Sequence, residues 1–277
     1  MTHVLDRPAT ITTPAKAPKR KRLGLGKPIP YGRVLGPALV IAVWSITSAT
    51  GALDPRILSA PWTIIQTGFE LTANGKLPES ILTSLQRAAL GFFFGATAGT
   101  VLAILSGLSR VGEALIDGTV QVKRAIPSLG LIPLLILWLG IGEEFKIVVI
   151  AVTVATIMYL QTYAALTGID SRYVELAEAV GLKRTQYVRK VVFPGALPGF
   201  FLGLRLAVTA SWLSLVVLEQ INATSGIGYL MFQAQNYGQT DVIVVGLVVY
   251  GLFGFVSDAL LRIIERRALA WRRTLSG

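Results

Sequence analysis

The stretch "ELAEAVGLKRTQYVRKVVFPGALP", Glu175–Pro198, contrasts sharply with the sequence around it. Just upstream, Ile147 to Ile169 holds no charged residue. Asp170 to Lys190 then holds eight: Asp170, Arg172, Glu175, Glu178, Lys183, Arg184, Arg189 and Lys190. Helix punctuation is dense in this polar island. Asp170 and Ser171 offer capping oxygens, and Glu175 and Glu178 lie in the first turns, where the helix dipole favours acids. Gly181 falls where a helix takes a left-handed cap. Thr185 can start a second helix, with Val188, Val191 and Val192 on one face, and Pro194 and Pro198 lead the chain into a further apolar run. Ala177 and Ala179 are small enough to let a groove on another protein approach. A merely solvated loop need not combine these features.

Composition says what the island is set in. Of 277 residues, 53% are hydrophobic and only 15% charged, and mean hydropathy is +0.62, too apolar to clothe a soluble surface. Without cysteine there is no disulfide framework or thiolate metal site, and the one histidine, His3, lies in a polar tail. "GLGKP" (Gly24–Pro28) is no P-loop, because Lys21 and Pro28 stand where glycine and Ser/Thr belong. The chain shows no ATP site.

Charge-free windows predict six membrane spans: Val34–Leu53, Ala88–Ser109, Ala125–Gly142, Ile147–Ile169, Val191–Leu218 (interrupted by Arg205) and Val242–Ser257. Six spans put both termini on one side. Alternate loops and tails carry 21 Lys and Arg against four, with Arg205 inside a span. The positive-inside rule then places the termini and the polar island in the cytoplasm, and it accounts for the net charge of +11 without nucleic acid. The expected organisation is a basic disordered tail over 1–33, a transmembrane domain over 34–265 with the island at about 170–198, and a basic cytoplasmic C-terminus over 266–277.

Three features leave alternatives open. Pro61 starts a short helix whose Trp62, Ile65 and Phe69 share a face, either lying on the outer leaflet or packing onto the protein. Gly91, Gly95 and Gly99, and again Gly199 and Gly203, repeat at four-residue spacing and allow helices to approach closely, either within the chain or across a sliding or dimeric surface. In "KRAIPSLGLIPLLILW" (Lys123–Trp138), Pro127, Gly130 and Pro133 predict either a broken helix lining a route or an amphipathic helix, Val111–Arg124, followed by a simple span.

The island also carries a resemblance. Glu175-Leu176-Ala177, then Gly181, then Val191-Val192-Phe193-Pro194 resembles the EAA loop of ABC-importer permeases, with its spacing kept and Leu176 in place of the middle alanine. "ILSAPWTI" (Ile57–Ile64), "SLQRAALGF" (Ser84–Phe92), "LIPLLILWLGIGEEFKI" (Leu131–Ile147) and "PGALPGFFLGLRLAV" (Pro194–Val208) look like the nitrate/sulfonate/taurine branch. "SGLSRVGEALIDGTVQ" (Ser106–Gln121) and the segment around "SGIGYL" (Ser225–Leu230) look most like aliphatic-sulfonate permeases.

This resemblance implies an all-α integral membrane protein of the type I, MetI-like fold. It implies a homodimer in the bacterial inner membrane, joined to two cytoplasmic ATPase subunits and served by an extracytoplasmic binding protein. ATP and Mg would be held by the ATPase, with no cofactor in this chain and no enzymatic role for it. Glu175, Leu176, Ala177, Glu178, Ala179, Gly181, Val191 and Pro194 would meet the ATPase, whose closure drives alternating access. The substrates implied are anions: aliphatic sulfonates first, with taurine, nitrate or bicarbonate as alternatives. Arg124 and Arg205, with Ser128 beside the break at Pro127, could face that anion, because an arginine fork suits paired oxygens. Alternatively, Arg205 snorkels or braces the island through Glu175, Glu178 or Asp117. An intramembrane enzyme lacks a cluster of catalytic groups at one depth, and a passive channel would need no coupling helix.

Overall fold

The computed structural model describes residues 32–271; the basic tail, His3 and the last six residues lie outside them. Contacts divide the chain into a unit up to Val43 and a second unit, Trp44–Gly277, that carries nearly all of the fold. Among the described residues all regular structure is helical.

Helix α1 covers Gly32–Ala49, with Pro37 inside it. Pro61–Ala73 forms α2, with Pro61 in its first turn. The second unit is dominated by helices long and apolar enough to cross a membrane: α3 (Lys76–Gly107), α6 (Glu143–Thr167), α8 (Arg184–Asn222) and α10 (Thr240–Ala268). Between α3 and α6 lie α4 (Arg110–Ala125) and α5 (Ser128–Leu139), which bend by 88° at their junction. The short helices are α7 (Arg172–Ala179) and α9 (Ile227–Asn236).

The charge-free windows were therefore cut short. Helix α3 begins at Lys76 and carries Glu79 and Arg87 within it, and α6 begins at Glu143. Four of the six expected spans are single long apolar helices; the third is the bent pair, and the first is a shorter apolar helix, Val34–Ala49. In the third, the helix breaks beside Pro127 as one reading expects, and the part before the break, Arg110–Ala125, nearly matches the Val111–Arg124 helix of the other. The backbone turns at Ile126-Pro127, and a single 3-10 turn over Ser128–Leu131 leads into Ile132–Leu139. Twelve residues beyond the break reach roughly 18 Å, too little to cross the ~30 Å hydrocarbon layer alone.

Helix α6 is the axis of the bundle. Phe145, Val149, Ile150, Val154 and Met158 are all buried, together with Ala207, Leu215 and Leu218 of α8 and Ala88 of α3. Lipid offers little hydrophobic drive between helices, so close backbone approach has to supply the packing. Gly91, Gly95 and Gly99 of α3 lie against α6: a side chain at Gly95 would come within 2.7 Å of Val154 Cβ, and one at Gly99 within 2.9 Å of the Ala155 carbonyl carbon. Gly199 and Gly203 of α8 meet α6 from another side, at Ala165 and Gln161. Both glycine stripes thus clasp one helix of the same chain.

On α2, Ile64, Thr67 and Leu71 face inward, and Thr67 donates to Asp241 at 2.6 Å. Trp62, Ile65 and Phe69 point away from the core of their own chain, at 52%, 61% and 73% exposure, as a face lying on the outer leaflet would.

Candidate coupling and transport sites

Helix α7 is built as the sequence suggests, with one change at its start. Asp170 Oδ1 accepts from the Arg172 amide at 3.0 Å, while the Ser171 side chain makes no capping bond. At the other end Gly181 has φ +70°, its amide bonds to the Glu178 carbonyl, and the Leu182 amide bonds to that of Ala177. This is the Schellman closure that a left-handed residue permits. A side chain at Gly181 would meet nothing within 4 Å, so only the backbone conformation favours glycine there.

Ala177 is buried beneath α7, whereas Glu175, Glu178 and Ala179 are exposed. Tyr173, Leu176 and Val180 follow one another at helical spacing and are 54%, 59% and 67% exposed. An apolar stripe thus projects from a polar segment beyond the ends of the long helices. Behind it, Val192 and Ala196 pack with Leu166, and Pro194 lies in the first turn of the long part of α8, after a widened π-type turn over Val188–Val192. Val191 is partly buried there. Arg184 Nη2 donates to the Leu108 carbonyl at 2.7 Å, tying the start of α8 to the link between α3 and α4.

A second arrangement follows from the bend. Helix α4 runs antiparallel beside α6, as three contacts show. Tyr163 donates to Glu113 at 2.7 Å, Tyr159 to Asp117 at 3.0 Å, and Lys123 Nζ to Thr156 Oγ1 at 2.6 Å. Lys123 also donates to Ser128 Oγ at 2.9 Å and to the Val152 carbonyl at 3.3 Å. Pro127 and Ser128 thus sit with Lys123 at the break, while the Arg124 side chain is exposed. Arg205 lies elsewhere. Its guanidinium is 2.8 Å from Asp258 and 3.8 Å from Glu265, both on α10, so the carboxylates beside it are not Glu175, Glu178 or Asp117.

The sequence reading missed the third arrangement. At the Glu143 end of the bundle Arg87 is 2% exposed and Glu219 fully buried, with Arg87 Nη1 2.6 Å from Glu219 Oε1. Arg87 also grips Glu143 through Nε and, at 2.8 Å, Nη2, and donates to the Ser225 carbonyl at 2.7 Å. Glu219 accepts from Ser84, from Tyr250 at 2.9 Å and from the Gly228 amide at 2.8 Å. Buried Lys146 completes the set 2.9 Å from Glu143. Two cations and two carboxylates cancel, and each buried charge is hydrogen-bonded, as a dry interior demands. The cluster also explains "SGIG": Gly226 has φ +109°, and a side chain there would fall 2.6 Å from the Glu219 carboxyl carbon. Four charges flanking apolar windows on one side and summing to zero were the available signal.

A cleft of about 690 Å³ opens at this same end, and its charged lining is Glu70, Glu79 and Asp241 against one cation, Lys76. Its acidic lining does not suit an anion.

The family model described as "Binding-protein-dependent transport system inner membrane component" matches residues 95–269. A protein of Bacillus subtilis (strain 168) that bears the name aliphatic sulfonates transport permease is 36% identical over 262 residues, covering 95% of this chain and 93% of its own. Its namesake in Escherichia coli (strain K12) is 40% identical over 235 residues, covering 85% and 89%. In fold, the chain is similar to a crystal structure of an amino acid ABC transporter, at a TM-score of 0.62 and 15% identity, over 72% of this chain and 96% of that one.

Proposed function

The chain belongs to the binding-protein-dependent transport system inner membrane components, and from that membership we propose that it is the translocation subunit of an ATP-driven importer for aliphatic sulfonates. The substrate class follows the names of the two relatives that align over most of both chains. In this reading two copies of the chain form the pathway, a binding protein delivers cargo outside, and two ATPase subunits, which hold ATP and Mg, dock inside. The distribution of 21 against four Lys and Arg orients the termini and α7 toward the cytoplasm.

One observation carries the proposal. Tyr173, Leu176 and Val180 form an exposed apolar stripe on a capped helix beyond the ends of the long spans. A membrane protein gains nothing from such a stripe in water unless a groove receives it. Closure of the ATPase dimer would move α7 as a handle. Helix α8 leaves the same loop and runs unbroken from Arg184 to Asn222, so displacement at the handle reaches Glu219 and the buried cluster. The Arg184 bond to Leu108 carries it also to α3 and α4. Alternating access would be this displacement, read at both ends of the bundle.

Taurine, nitrate or bicarbonate would use the same machinery, because selection rests mostly with the binding protein. The test is uptake into proteoliposomes holding the full complex with its binding protein. We expect ATP-dependent accumulation of butanesulfonate, competed by other alkanesulfonates. Accumulation of nitrate with no butanesulfonate uptake would transfer the assignment to the nitrate reading. Flux without ATP would make the chain a channel.

A further inference from the structure

Three cations inside the bundle have carboxylate partners: Arg87 with Glu219 and Glu143, Lys146 with Glu143, and Arg205 with Asp258 and Glu265. Lys123 does not. Among the described residues its ammonium meets only neutral oxygens: Ser128 Oγ, Thr156 Oγ1 and the Val152 carbonyl. Its depth follows from its partner helix. Thr156 lies 13 residues from Glu143 and 11 from Thr167 along α6. At 1.5 Å per residue it is roughly 20 Å and 17 Å from those ends, in the middle of the span. Lys123 is only partly buried, so its side chain adjoins open space beside the 88° break.

We propose that Lys123, with Ser128 and Thr156, forms the mid-membrane contact for the anionic head of the cargo as it passes. An unneutralised cation at this depth is costly to keep, which marks it as a functional group rather than a packing one. The chemistry of the cluster fits. Thr156 donates its hydroxyl proton to the Val152 carbonyl, so its oxygen is committed as an acceptor for Lys123. Ser128 Oγ accepts from Lys123 and keeps its own proton for a further acceptor. An ammonium that exchanges its long 3.3 Å bond to the Val152 carbonyl, with a hydroxyl donor beside it, matches two oxygens of a sulfonate, and neither group has to break from a carboxylate first. A point charge on a flexible stem also suits a passing contact, which must release its ligand, better than a bidentate clamp does. Arg205, already answered by two carboxylates, is not available in this way.

The inference rests on the reading of the chain as an anion importer. Its test uses the complete reconstituted complex and compares Lys123→Gln and Lys123→Arg with the unaltered chain, measuring uptake, complex assembly and ATPase stimulation by loaded binding protein. Glutamine can still hydrogen-bond Thr156 but carries no charge. Losing one charge-assisted contact should lower butanesulfonate uptake about tenfold or more with assembly and stimulated ATPase kept, and arginine should restore most of it. Normal uptake by Lys123→Gln would overturn the inference. So would joint loss of uptake, assembly and ATPase stimulation in Lys123→Gln, which would make Lys123 a brace between α4 and α6. If the unaltered complex imports nitrate and no sulfonate, the sulfonate reading fails while the same variants, scored on nitrate, still decide the role of Lys123.

Discussion

The two ends of α6 handle charge in opposite ways. At Glu143, Arg87, Lys146 and Glu219 are sunk out of water and bonded across five helices, α3, α6, α8, α9 and α10. At Thr167, the neighbouring island keeps its charges in solvent; its Arg172–Asp170 pair is 3.8 Å apart, with side chains 88% and 52% exposed. The first arrangement fixes one geometry, because every group in it is answered and the loss of Glu219 would leave Arg87 buried without its buried partner. The second fixes only the local shape of α7 and leaves its apolar stripe for a partner. A machine worked from one end needs this asymmetry: a handle that is rigid in itself but free to move, and a far end whose contacts make or break as a set.

The contrast can be broken most forcefully at Glu219. Glu219→Ala strips Arg87 of its buried partner and orphans the Gly228 amide and the Tyr250 hydroxyl. We expect a loss of about 3–5 kcal/mol, read as earlier thermal unfolding in detergent. A melting curve unchanged from the parent would mean that the cluster does not hold that end together. Gly99→Val comes next. It forces a branched side chain against the Ala155 carbonyl and should cost about 1–3 kcal/mol in the same assay. Gly181→Val is milder for the fold and harsher for the work. It disfavours the left-handed cap by about 1 kcal/mol or more while touching nothing else. Spans should stay inserted and melting nearly constant while uptake is lost; full uptake would show that the exit angle of α7 does not matter. Smallest is Arg205→Gln. Its pair with Asp258 joins side chains 29% and 28% exposed, so no more than about 1 kcal/mol is expected, and a larger destabilisation would extend the locked region beyond the Glu143 end.

The island could be read in the sequence because its signals are local: a cap, acids in the first turn and a glycine stop all fall within a dozen residues. The buried cluster could not be read this way. Arg87, Glu143 and Glu219 are spread over nearly half of the chain, and each sits at the edge of an apolar window, where a charge looks like a loop residue. Lys123 was hidden for a related reason. Counted with the cytoplasmic cations, it reaches mid-span only because α4 climbs beside α6 before breaking at Pro127, and that depth is a property of the packed bundle. The helices outrun the charge-free windows where charges fold into them, as Glu79 does in α3. The glycine stripes showed that helices would meet closely, but not that both would grip α6.

The most direct test uses the absence of cysteine, which makes any introduced thiol unique within this chain. Leu176→Cys and Ser225→Cys would be placed singly in the full complex and treated with a short thiol cross-linker. Leu176→Cys is expected to capture the ATPase subunit with a yield that ATP changes, whereas Ser225→Cys is expected never to do so and to be labelled only from outside. Capture of the ATPase from Ser225→Cys, or none from Leu176→Cys in a complex that still imports, would contradict the placement of α7 against the ATPase.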